Sequence, residues 1–353
     1  MSAGRSRAIA IGAGIATATV LILVLVLVAG GFDVGAALAA LARGAVGSPS
    51  AFFSGTLVRA TPLLLAGLAV CIAFQGGVLN IGAEGQLLVG AAVAGAVAIG
   101  APLGMATLPA VLAAGAVAGA AWAAIAAVLR QRFGVLEVIS TIMLNFVAQF
   151  GVAWLVRGPL QEPTHIYPQS ESLPLLARLP VLVPATRLHW GFALGLIAAI
   201  ACWFVVQRTS AGFRLRAAGA NPAAAASAGR VDVARVAFGA FLASGALAGL
   251  AGAVEVSGVT FALYDNLSPG YGYSAIAVAL LARLDARWVI ASAVLFGGLE
   301  AGAVAMQRDA AVPSVVVTVV EAVLILMVLV AGRLRDQWAA DSGAPESTVV
   351  VAP

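Results

Sequence analysis

From Gly85 to Val128 the chain carries not one charged side chain. About 20 apolar residues cross a bilayer core, so this run is too long for a single span and too apolar for water. Pro102 and Pro109 stand near its middle, where a turn belongs. The element expected is a pair of membrane helices, 84–101 and 108–129. The rest of the chain has the same character. Of 353 residues, 62% are hydrophobic and 10% charged, and the mean hydropathy is +1.05. A soluble domain of this length cannot cover itself with so little polar surface, whereas a bilayer removes the requirement. The fold class expected is all-α, a polytopic integral membrane protein.

Charge-free runs and breaker residues divide the chain into about ten spans: 8–30, 59–76, 84–101, 108–129, 135–156, 189–207, 235–257, 271–283, 287–306 and 313–332. Arg5 and Arg7 precede an uncharged run from Ala8 to Phe32 that resembles a secretory signal. Its apolar part is much longer than a signal core and reads as a retained first span. Every basic residue is Arg, and the net charge is +4. With the N-terminus inside, thirteen Arg fall on the cytoplasmic side and six outside, so both termini are expected in the cytoplasm. No polar region is large enough to form a nucleic-acid-binding face. Cys71 and Cys202 lie far apart in apolar segments, without metal-ligand spacing.

The organisation expected is a transmembrane domain, 1–335, and a polar, disordered cytoplasmic tail, 336–353. Two loops are long. The outer one, 158–188, contains Pro159, Pro163, Pro168, Pro174, Pro180 and Pro184, which forbid a long helix and favour a stiff, extended surface. The inner one is 208–234. VLEVISTI (135–142) and VPSVVVTV (312–319) share V-x-x-V-x-x-T and would cross in opposite directions, as inverted repeats do.

The segment GGVLNIGAEGQ, 76–86, breaks the apolar pattern with four glycines, an asparagine and a glutamate. Glycine weakens a helix, and a carboxylate is costly in hydrocarbon. A helix restarting near Ala83 would place Glu84 in its favourable first turn. One reading is an interrupted span lining a path, because broken backbone survives only where it lines a cavity or is buried in protein. The other is a short cytoplasmic turn. Asn80, Glu84 and Gln86 belong to this segment. Asn145 and Gln149 lie four apart on one helix face with Glu137 upstream. Glu255, Glu300 and Glu321 fall within or near the ends of apolar spans. NLSPGYGY, 266–273, resembles a second break, and its Tyr271 and Tyr273 suit either an interfacial belt or stacking on a flat ligand. The small-residue runs 114–121 and 245–253 suit close helix packing. His165 and His189 are expected to be solvated loop residues.

In the inner loop Asn221 is a good N-cap, Pro222 fits the first helical position and Gly229 is a plausible stop. A helix this short is marginal in water and needs a surface to pack on. It reads as a docking element for a cytoplasmic partner, with Arg214, Arg216 and Arg230 free for acidic groups, or as an ordinary connection.

GVLNIGAEGQ (77–86), STIMLN (140–145), GFRLRAAGANPAAAASAG (212–229), SGALAGLAGA (244–253) and GYGYSAIAVALLAR (270–283) resemble the permease subunits of bacterial ABC importers for nucleosides and simple sugars, a branch of the branched-chain amino acid and ribose permease family. The resemblance runs from about residue 58 to 332. It implies a type II importer fold with about ten transmembrane helices, and a plasma-membrane location. It implies as partners a second permease subunit, identical or homologous, a cytoplasmic ATP-binding subunit and an extracytoplasmic substrate-binding lipoprotein. It further implies that 219–229 is the coupling helix. The Ala-rich coupling segment, without a carboxylate from Gly219 to Gly229, and the long outer loop depart from the pattern. The chain has no phosphate-binding loop, so no cofactor is expected in it, and ATP and Mg belong to the partner ATPase. The expected function is inward movement of nucleosides or related sugars by alternating access. Asn80, Glu84, Gln86 and Asn145 would line the substrate pathway. Arg216, Gly219, Asn221, Pro222, Ala225 and Gly229 would couple to the ATPase. The alternative is a proton-coupled secondary transporter that uses Glu84, Glu255 or Glu321.

Overall fold

The computed structural model describes residues 20–313 except 102 and 230, with isolated positions on either side from 14 to 330. The tail 336–353, Glu321 and Arg230 lie outside the described residues. The described helices are α1 Val20–Ala29, α2 Val34–Val46, α3 Leu57–Gln75, α4 Ala83–Gly100, α5 Thr107–Phe133, α6 Glu137–Val156, α7 Trp190–Arg208, α8 Ser210–Ala220, α9 Pro222–Gly229, α10 Val233–Glu255, α11 Tyr271–Leu281 and α12 Ala286–Ala310. Among the described residues there is no strand beyond three isolated bridges. Seven helices are long and apolar enough to cross a membrane: α4, α6, α7 and α12, with α3, α5 and α10 lengthened by adjoining turns. α11 corrects the eighth expected span. Its 11 residues reach about 16 Å, roughly half a hydrocarbon core.

The described contacts divide the chain into two compact units, 57–296 and a second drawn from 1–56 and 297–353. In the second, α2 forms between the expected spans 8–30 and 59–76. Asp33 caps it by accepting from the Ala36 N–H at 2.9 Å, and Leu23, Leu27, Ala37, Ala40, Ala303 and Met306 make its core. Gly44 lies so close to Ala301 and Gly302 that a Cβ would not fit.

In the first unit α10 lies against α3, α4 and α5. The two small-residue runs pack on each other, as their composition suggests. A Cβ on Gly119 would overlap the Gly245 carbonyl, one on Gly249 the Gly115 carbonyl, and one on Gly90 of α4 the Gly249 backbone. Lipid tails give apolar helices no hydrophobic reason to associate, so close backbone packing of this kind is what holds them.

Residue levels fix the helix directions. Gly76 at the end of α3 meets Ala240 near the start of α10, so these two run antiparallel. Asn80 bonds Ser244, Gly252 abuts Leu87, and Gly95 approaches Leu263, so α4 runs with α10. Gly67 meets Val278, and the Cys71 thiol donates to the Leu284 carbonyl, so α11 runs with α3. Each long helix is thus followed by a break and a second helix beside the other long helix, and the two pairs point in opposite directions. This is an inverted arrangement of the kind that transporter repeats adopt. The sequence echo itself, 135–142 with 312–319, falls on other segments, and the second of these lies partly outside the described residues.

The proline-rich loop 158–188 is extended and tied down. Ser170 and Leu173 donate N–H bonds to the Leu263 and Phe261 carbonyls, each at 2.8 Å, and Leu179 to Ser257 at 2.8 Å. The Glu162 carboxylate accepts from the Thr164 hydroxyl and from the Thr164, Ile166 and Tyr167 N–H groups. These bonds, the Thr164 hydroxyl first, hold it down at about 2.

Candidate functional site

α3 ends because Gly77 adopts φ +70°, a left-handed conformation that suits glycine. The Val78 N–H then closes on the Ala73 carbonyl at 3.0 Å. Five residues later α4 begins at Ala83. Asn80 spans the gap. Its Oδ1 accepts from the Gly82 N–H at 2.9 Å, and its Nδ2 donates to the Gln86 Oε1 at 3.0 Å and to the Ser244 Oγ at 2.9 Å. Gln86 returns a bond from Nε2 to the Asn80 Oδ1 at 3.0 Å.

The free N–H groups at a helix start need partners, and here each broken helix takes one from elsewhere. Asn145 on α6 accepts from the Gly85 N–H at 2.8 Å. Glu84 on α4 accepts from the Gly272 N–H of α11 at 2.7 Å. Gly272 can have no side chain, since a Cβ would overlap the Glu84 backbone. Asn145 also donates to the Ile81 carbonyl at 3.0 Å and to the Tyr273 hydroxyl at 3.2 Å.

The structure therefore brings Asn80, Glu84, Gln86 and Asn145 together, all 6% exposed or less. They bond chiefly to one another and to the two helix starts. Gln149, four residues from Asn145, is exposed and outside the cluster. Glu137 pairs with Arg130 at 3.2 Å. Glu255 is buried at the far end of α10.

On the other side of the break lie α8 and α9. Thr209 caps α8, and the Asn221 Oδ1 caps α9 by accepting from the Ala224 N–H at 3.0 Å. Asn221, Pro222, Ala223 and Ala224 are exposed, while Ala225 is buried. Gly219 presses on the end of α3, where a Cβ would overlap the Gln75 carbonyl and crowd the Gly77 N–H. Gln75 in turn donates from Nε2 to the Leu284 carbonyl in the turn between α11 and α12. Arg216 is not free for a partner as expected: its guanidinium turns back onto the Val206 carbonyl and the Gln207 side chain, satisfying the exposed end of α7.

His189 corrects another expectation. It is 1% exposed, and its Nδ1 caps α7 by accepting from the Gly191 N–H at 3.2 Å. Burial, and then the charge of Arg187, push it down to about 4. Its Nε2 and the nearby Ser257 Oγ are buried without hydrogen-bond partners. His165 is exposed, as expected. Sequence reasoning missed Ser244 and the tie between Asn145 and Tyr273. The only signals for them were a serine opening the run 244–253 and a tyrosine in a flagged break.

Residues 52–331 match the family described as the permease component of branched-chain amino acid transport systems. The guanosine ABC transporter permease protein NupP of Bacillus subtilis is 39% identical over 88% of this chain and 91% of its own. The glucose ABC transporter permease protein TsgB13 of Haloferax volcanii is 38% identical over 77% of this chain and 74% of its own. The nucleoside ABC transporter permease protein NupB of Lactococcus lactis is 30% identical over 78% of each. No solved structure matches.

Proposed function

The chain belongs to the family of branched-chain amino acid transport system permease components, and on that premise we propose that it is the membrane subunit of an ATP-driven importer of nucleosides. The observation that carries the substrate class is the agreement with the guanosine permease over nearly the whole of both chains. An uncharged nucleoside needs a mostly apolar passage with a few placed polar groups, and the cluster at the break is the concentration of such groups within the apolar helices. In this reading the pathway runs beside the break, with Asn80, Glu84, Gln86 and Asn145 setting its walls.

Coupling falls to α9 and the residues before it, Arg216, Gly219, Asn221, Pro222, Ala225 and Gly229. Arg216 acts there by fixing α8 on α7. The ATPase, with its ATP and Mg, docks on this cytoplasmic side, a second permease completes the passage, and a substrate-binding lipoprotein delivers from outside. Both termini are then cytoplasmic. The glucose permease, at nearly equal identity, favours a second reading in which the solute is a simple sugar. The proton-coupled alternative is set aside, because the relatives are ABC permeases.

The test is uptake into proteoliposomes holding the whole complex and its binding protein. ATP-dependent uptake of labelled guanosine that survives an uncoupler and resists excess glucose, ribose and leucine is the expected result. Stronger competition by glucose than by unlabelled guanosine assigns the importer to sugars, and loss of uptake with the uncoupler restores proton coupling.

A further inference from the structure

Tyr273 stands in the first turn of α11, directly after two buried residues, Tyr271 and Gly272, yet it is 43% exposed. It lies level with the start of α4, within the length of α10 rather than at either of its ends. Gly272 is bonded to Glu84, and Asn80, at the same junction, is bonded to Ser244 in the middle part of α10. Tyrosines that face lipid gather at the interfaces, where the hydroxyl reaches water. The Tyr273 hydroxyl instead accepts from the buried Asn145. Broken backbone at this depth is tolerated beside a cavity or within protein, not against lipid.

We infer that Tyr273 is the platform on which the flat base of a nucleoside stacks in transit. The inference rests on the nucleoside reading and adds to it the residue that recognises the base. Asn145 is saturated, its Oδ1 by Gly85 and its Nδ2 by Ile81 and Tyr273. It positions the ring and leaves the ring face as the surface on offer. A ring fixed before binding loses little freedom when a ligand arrives. Every base has a π-face, so a stacking platform accepts purines and pyrimidines alike. A free sugar has no such face and gains nothing from the ring.

The experiment measures binding of labelled guanosine, uridine and ribose to the purified whole complex in lipid nanodiscs without its binding protein. Guanosine uptake by the wild-type complex, measured separately with the binding protein, establishes the nucleoside reading on its own. Tyr273→Leu should weaken guanosine and uridine binding about 10-fold or more, while Tyr273→Phe, which keeps the ring and loses the hydroxyl, should stay within about 2-fold of wild type. Equal loss in both variants would show that the tie to Asn145 matters and the ring face does not, and would overturn the proposal. So would unchanged binding in Tyr273→Leu, or a wild-type complex that imports guanosine without binding it in any nucleotide state. If Tyr273→Leu does not assemble, Tyr273→Trp decides: its larger ring should tighten guanosine binding, and unchanged or weaker binding overturns the platform. Ribose binding should respond to none of these changes.

Discussion

One amide, that of Asn80, serves three groups at once: the Gly82 N–H, the Gln86 side chain and the Ser244 hydroxyl. A buried polar group left without a partner costs about 1–3 kcal/mol. Asn80→Ala should therefore destabilise the subunit by on the order of 3 kcal/mol and sharply reduce uptake. Asn80→Ala with Ser244→Ala should be less harmful than the two single costs summed, because the second change removes one of the stranded groups. Thermal unfolding of the purified complex measures both, and a strictly additive pair would count against the shared bond. His189 gives a second prediction. It sits at about 4 in the folded protein against 6.5 for the free side chain. The unfolded chain therefore takes up a proton first as pH falls, so the contribution of neutral His189 is full above 6.5 and is lost as pH drops toward 4. The loss is at most roughly 3 kcal/mol. His189→Asn keeps an acceptor for the Gly191 N–H but does not titrate, so its melting temperature should fall less between pH 7 and 5 than that of wild type. Four residues of this site were legible because polar groups are conspicuous in apolar runs. Their partners were not: a serine or tyrosine is common in such helices, and what it bonds is decided across more than a hundred residues of sequence.

Helix boundaries follow local chemistry where that chemistry is strong. Asn221 and Pro222 mark the start of α9 in the sequence, and the structure places it there. α8 escaped notice because Gly212, Arg214 and Arg216 dilute its pattern, and the Thr209 cap carries little weight without the fold. α11 begins where expected, after Gly270, but stops short of a full span, because just past its end Arg283 and Leu284 stand at φ +55° and +58° and turn the chain. Two substitutions separate packing from coupling here. Ala225→Pro, inside α9, should cost about 3 kcal/mol or more of helix stability, leaving membrane insertion intact and abolishing ATPase association or substrate-stimulated hydrolysis. Gly219→Ala leaves α9 itself untouched but drives a methyl into the Gln75 carbonyl, an overpacking worth about 1–3 kcal/mol. It should preserve ATPase binding and lower the solute moved per ATP hydrolysed. Parallel assays of hydrolysis and uptake distinguish the two, and an unchanged ratio in Gly219→Ala would mean that the contact at α3 transmits nothing.

At the scale of the molecule, the membrane character and the helical class were written in the long uncharged runs. The inverted pairing of α3–α4 with α10–α11 was not legible, since the valine echo fell on 135–142 and 312–319 instead; the symmetry is one of backbone path, and the two halves meet it with different residues. Where the first break uses Asn80 and Gln86, the second uses the Ser268 hydroxyl, which accepts from the Gly270 and Tyr271 N–H groups. The junction at Gln75 has a consequence for timing. Gly219 bears on its carbonyl, the break at Gly76 and Gly77 continues from it, and its side chain holds Leu284 at the foot of α11. If α8 and α9 receive the ATPase, as proposed, a displacement there bears through Gln75 on both arms of the inverted pair, and α8 also touches α10 directly. On that proposal the two arms would share one clock, each starting when the other does.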